Sequence, residues 1–112
     1  MTAAAPSIAS LKADLFRAMA NPVRIGALEL LAGGTRSAGE LQRALGVEAS
    51  HLSQQLAVLR RGGLVTARKD GTSLLYSVKD PVLFEMLAAA RRLLLNSLTE
   101  TRSLLADLDL TG

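Results

Sequence analysis

A chain of 112 residues, 49% apolar and 21% charged, suits one globular domain and excludes a disordered or fibrous protein. With two Phe, one Tyr and no Trp, its core has to be built from Leu, Val, Ile and Ala, which favours packed helices over an aromatic-rich sandwich. A net charge of +3 is too small to argue by itself for a polyanionic partner, and the lack of cysteine excludes disulfides, thiolate metal sites and thiol switches.

Ile8, Leu11, Leu15, Phe16 and Met19 recur at helical spacing and predict an amphipathic helix over 7–20. Asn21 as an N-cap and Pro22 at the first helical position restart the chain, and a second helix runs through Ile25, Leu28 and Leu31 to Gly33-Gly34. Ser37 and Glu40 have the spacing of a capping box, which opens a short helix carrying Leu41 and Leu45 and ending at Gly46. A further helix begins near Glu48, lines up Leu52, Leu56 and Leu59 on one face, and stops at Gly62-Gly63. Two short helices joined by a tight glycine turn make a helix-turn-helix. Beyond it, residues 64–69 and 72–78 are rich in β-formers and flank Asp70-Gly71, a strong hairpin signal that predicts a two-stranded wing. Asp80-Pro81 then caps a long helix in which Val82, Phe84, Met86, Leu87, Leu93, Leu94, Leu98, Leu104, Leu105 and Leu108 are apolar. The expected architecture is a single domain over 1–112, mostly α with a small β-hairpin, in the winged helix-turn-helix order α1-α2-α3-α4-β-β-α5.

Charge is unevenly distributed. From Arg36 to Lys69 there are six basic residues against Glu40 and Glu48, while the flanks are close to neutral. In a helix-turn-helix the second helix lies in the major groove, so one face must grip the domain and the other must offer donors and acceptors. With Leu52, Leu56 and Leu59 turned inward, Ser50, His51, Ser53, Gln54 and Gln55 are the candidate DNA contacts, since all can hydrogen-bond base edges or phosphates. A plainly solvated polar face is the bland alternative. Arg68 and Lys69, just before the hairpin turn, suit the phosphate-lined minor groove and equally protect an edge strand. Arg60 and Arg61 either favour the helix C-terminus electrostatically or touch backbone phosphate.

Three stretches carry a resemblance: Ala20-Asn21-Pro22-Val23-Arg24-Ile25, the run from Ser53-Gln54-Gln55-Leu56 to Arg60-Arg61-Gly62-Gly63-Leu64-Val65, and Arg68-Lys69-Asp70-Gly71 followed by Tyr76. Together they resemble the ArsR/SmtB family over most of the chain. The resemblance implies a homodimeric regulator whose first and last helices form the interface, here through Leu11, Leu15, Leu87, Leu94 and Leu98. A small domain cannot cover two such apolar helices alone. Where the family often has His one turn after His51, this chain has Gln55, which implies a different base preference.

The inducer sites of the family do not carry over. Its thiolate positions fall on Ser37 and Gly39, and its last-helix zinc and nickel positions on Asp80, Val82, Leu93 and Asn96, of which only Asp80 retains a ligand type. His51 is the sole histidine, a poor start for a transition-metal site. No cofactor is expected, with nickel or zinc held by His51 together with carboxylates or the terminal amine kept as an alternative. Glu100, Asp107 and Asp109 read as a solvated helix end in preference to a hard-cation site.

An enzyme lacks its constellation here, with no Cys nucleophile, one His, no Gly-rich phosphate loop and no clustered carboxylates. The expected partners are double-stranded DNA and a second copy of the chain. A helical protein-interaction module without DNA binding is the rival, separable by the salt dependence of DNA affinity. No apolar run approaches the roughly 18 to 20 residues that span a bilayer, and the first ten residues lack a signal-peptide pattern, so a cytoplasmic location is expected.

Overall fold

The computed structural model describes residues 5–111, with side chains to residue 109. Helix α1 (Ile8–Met19) is opened by Ser7, whose hydroxyl accepts from the Ser10 amide at 3.0 Å. Helix α2 (Pro22–Leu30) is opened by Asn21, whose side chain accepts from the amides of Val23 and Arg24, while Pro22 has no amide to satisfy. The α-helical part stops before the expected glycine pair, because Leu31–Gly33 tighten into a 3-10 turn.

Strand β1 (Arg36–Ser37) leads directly into α3 (Ala38–Leu45). Both halves of the capping box form: the Glu40 amide donates to Ser37 Oγ at 3.1 Å, and the Ser37 amide to Glu40 Oε1 at 3.2 Å. Three residues, Gly46, Val47 and Glu48, turn the chain into α4 (Ala49–Arg61). Gly46 takes the left-handed conformation, φ 65°, that a side chain would resist. At the far end of α4 the Leu64 amide donates back to Leu59 O and the Gly63 amide to Arg60 O, both at 3.0 Å. These are the two bonds of a Schellman ending, and they aim the chain into the wing.

The wing is β2 (Val65–Asp70) and β3 (Ser73–Val78), antiparallel, with Asp70 opposite Ser73 and Val65 opposite Val78. The two-residue loop is therefore Gly71-Thr72, one residue later than the Asp-Gly pair suggested. Gly71 has φ 63° and among the described residues no non-glycine has positive φ, Thr72 included, the pattern of a II′ turn. The sheet has three strands and not two: β1 pairs with β3, Arg36 opposite Tyr76 and Ser37 opposite Leu75, in the order β1-β3-β2. A hydroxyl pair, Thr35 with Ser77 at 2.7 Å, continues that pairing.

The chain packs as two units, one ending at Asp80 and the other beginning at Pro81. In the first, α2, α3 and α4 each touch the other two, α4 also meets β2, and α1 rests on α4. Their shared core holds Leu28, Leu41, Leu52, Leu56 and Leu59, all essentially inaccessible, joined by Met19, Ala27, Leu31, Leu64, Val65 and Tyr76. Each fully buried leucine contributes about 1.5–3 kcal/mol of transfer free energy. The second unit is α5 (Val82–Thr111), a single helix of 30 residues.

Candidate nucleic-acid interface

The inward leucines of α4 fix which side chains it can present. Leu52, Leu56 and Leu59 recur at spacings of four and three, so one stripe of the helix is committed to the core and the opposite stripe must face water. Ser50, His51, Ser53 and Gln54 are all exposed there. Arg60 and Arg61 are exposed in the last turn, where their charges also favour the helix C-terminus. With Arg68 and Lys69 on the wing, eight of the nine candidate contacts are at the surface.

Gln55 is the exception. It is half-buried at the margin of the polar stripe, and its Oε1 accepts a 2.6 Å hydrogen bond from Nη1 of Arg24. In the sequence Arg24 is distinguished only by belonging to the Ala20–Ile25 stretch. Its role depends on a contact between residues 31 apart, which no local pattern could have indicated.

On the wing, Arg68 and Lys69 are both exposed, but they do not act as a pair. Successive strand residues point to opposite faces. Lys69 shares a face with the core-side residues Val65 and Ala67, and Arg68 shares the other with Thr66. A hairpin that carries a cation on each face can approach phosphates on both sides of a groove.

Around the first turn of α3 lies an open hollow of about 480 Å³, lined by Ser37, Gly39, Arg43, Thr72, Ser73 and Leu74. Ser37 and Gly39 are the positions that correspond to the thiolate ligands of arsenic sensors, and a capping hydroxyl and a hydrogen cannot replace them. The Glu40 carboxyl beside them is held below its ordinary value, first by the Ser37 amide and then by the Ser37 hydroxyl, with Arg36 and Arg43 adding attraction. Among the described residues no three His, Cys, Asp or Glu side chains come together as a metal site, and the terminal amine of Met1 lies outside the described residues.

The interface residues expected for a second copy divide by exposure. On α1, Leu11 is exposed together with Ile8 and Phe16, whereas Leu15 is half-buried. On α5, Leu94 and Leu98 are exposed with Leu93, Leu95, Leu104, Leu105 and Leu108, whereas Leu87 is half-buried. Among the described residues no helix is long and apolar enough to cross a membrane.

A helix-turn-helix domain family model matches residues 19–68, which run from the end of α1 to the wing. The HTH-type transcriptional regulator Rv0081 of Mycobacterium tuberculosis is 48% identical over 103 residues, covering 91% of this chain and 90% of that protein. Its crystal structure superposes with a TM-score of 0.76 at 46% identity, over 86% of this chain and 97% of the other. The HTH-type transcriptional regulator YgaV of Escherichia coli is 41% identical over 81 residues, or 70% of this chain and 81% of YgaV. A homodimeric winged helix-turn-helix DNA-binding domain from Mycobacterium bovis, described as a possible ArsR-family regulator, matches with a TM-score of 0.73 at 29% identity, over 88% of this chain and 94% of the other. The helical order, the wing and near half identity to a regulator along nine-tenths of the sequence agree, and this chain belongs to the ArsR/SmtB family of winged helix-turn-helix DNA-binding transcriptional regulators.

Proposed function

We propose that two copies of the chain bind one operator with dyad symmetry, each placing α4 in a major groove and its wing against the adjacent backbone. The observation that carries this reading is the division of α4 into a buried leucine stripe and an exposed stripe of Ser50, His51, Ser53 and Gln54. These short polar groups suit base edges, whereas Arg60, Arg61, Arg68 and Lys69 suit phosphates, which position the protein without reading sequence. The second copy is supported by the uncovered apolar side chains of α1 and α5 and by the homodimeric state described for the Mycobacterium bovis domain.

Signal recognition in this reading uses neither of the family's two familiar metal sites. Ser37, Gly39, Val82, Leu93 and Asn96 supply no ligand set for arsenic, zinc or nickel. Arsenite therefore leaves operator affinity unchanged, and any nickel or zinc effect passes through His51 and disappears in His51→Ala. A lasting metal effect in that variant would show a different effector site. The protein acts on DNA in the cytoplasm.

The direct test of base reading is Gln54→Ala against a selected operator and its single-base substitutions. The expected outcome is a loss of about 1–3 kcal/mol of discrimination at particular positions, with little change elsewhere. An unchanged base preference would mean that α4 is docked differently.

A further inference from the structure

Arg24 makes three hydrogen bonds from one plane. Its Nε donates to Ala18 O at 2.7 Å and its Nη2 to Arg17 O at 3.3 Å, two carbonyls in the last turn of α1, the second of which also accepts from the Ala20 amide. From the other side of the guanidinium, Nη1 donates to Oε1 of Gln55 at 2.6 Å. The backbone beneath it is also fixed, because the Arg24 amide is one of the two bonded by the Asn21 cap. The group is therefore held at its base and along one edge, and it reaches the edge of the reading stripe from inside the domain.

This arrangement has a chemical consequence for Gln55. A guanidinium has five donors and no acceptor, so the carboxamide facing it must present its oxygen. The amide nitrogen of Gln55 then points away from Arg24. The side chain of Gln54, its exposed neighbour, makes no hydrogen bond among the described residues and can turn either end of its carboxamide outward. The two adjacent glutamines are chemically identical but differently prepared: the side chain of one is exposed, and the other is held by a charge-assisted bond that leaves its donor end turned from Arg24.

We infer that Arg24 is a positioning residue for DNA recognition, which preorganises Gln55 as a hydrogen-bond donor to an acceptor on a major-groove base edge. The inference rests on α4 reading bases as proposed above. Arg24 itself touches no DNA in this scheme. It acts through Gln55, and its planar fork cannot be replaced by the single nitrogen of lysine, which cannot reach the α1 carbonyls and Gln55 from opposite edges of a plane.

The test measures dissociation constants for the native protein, Gln55→Ala, Arg24→Lys and the double variant, against a selected operator and every single-base substitution of it. Gln55→Ala is expected to flatten the preference at one position of each half-site by about fivefold or more, the range of a lost base-edge contact. Arg24→Lys should flatten the same position, and the double variant should be no flatter than Gln55→Ala alone. A purely structural Arg24 gives another pattern: all operators weaken alike, or the two losses add, and either result overturns the inference. If Gln54→Ala alters base preference and Gln55→Ala does not, the helix still reads and only this inference falls. Should Arg24→Lys fail to fold, the side-chain amide of Gln55 in the native protein decides by nuclear magnetic resonance. One fixed rotamer whose amide protons shift on adding operator supports the inference, whereas an averaged side chain unchanged by DNA overturns it.

Discussion

Leu28, Leu41, Leu52, Leu56 and Leu59 are at most 2% exposed, whereas Leu93, Leu94, Leu98, Leu104 and Leu108 of α5 are between 62% and 71% exposed. The residue type is the same, and the difference lies in what covers it. In the unit up to Asp80, three helices and a sheet close around these leucines, and the apolar side chains left uncovered are chiefly Ile8, Leu11 and Phe16 of α1. In α5 Leu83 is buried and Leu87 half-buried, but from Leu93 onward the helix repeats leucines with no such cover. An amphipathic helix with a bare apolar stripe is stable in water chiefly when something else buries it. The core of the first region thus holds a polar face of α4 in place, whereas the exposed leucines of α5 are the ones that the proposed dimer would cover.

The largest expected effect separates these two regions. Leu94→Glu puts a charge on the α5 stripe, and burying it without a counter-ion costs several kcal/mol, enough to dissociate the proposed dimer. Light scattering should then fall from about twice to about once the chain mass of 11.8 kDa, while the winged unit keeps its secondary structure. A native protein that already scatters as one chain would remove the basis of the comparison. Leu56→Ala acts on the other region and should cost about 2–5 kcal/mol in chemical denaturation, because a fully buried leucine leaves a cavity behind. A cost near zero would contradict the closed core.

A smaller effect tests the wing. Because Arg68 and Lys69 lie on opposite faces of β2, alanine at each should weaken binding to all sequences alike. Each should also reduce the salt slope by about one if each meets a phosphate. A change at only one of them would show that the wing docks through one face. The smallest effect concerns the α3 cap. The Glu40 carboxyl is held below its ordinary value of 4.5, so its contribution to stability is present above that pH and is lost as pH falls through the lowered value. The native protein should therefore lose its small advantage over Glu40→Gln on acidification, read as converging thermal midpoints.

Much of the winged unit was legible in the sequence because its determinants are local. The Ser37–Glu40 box, the Asn21-Pro22 start and the Gly62-Gly63 ending each act within a few residues and appear where the spacing placed them. Strand β1 was not legible, since two residues carry no period and their pairing with β3 spans about forty positions of chain. The same limit hid the bond from Arg24 to Gln55, which set one glutamine apart from its neighbour. The opposite faces of Arg68 and Lys69 follow from strand periodicity alone.

Selection of genomic fragments by the purified protein bears on both regions at once. A dimer that reads through α4 should enrich a site with two half-sites related by a dyad, centred about 10–10.5 base pairs or a multiple apart. The same selection with Gln54→Ala should retain the spacing, which the proposed dimer would set, and lose preference at particular bases within each half. Enrichment of a site without dyad symmetry, or of the same bases by both proteins, would contradict this division of labour between the two regions.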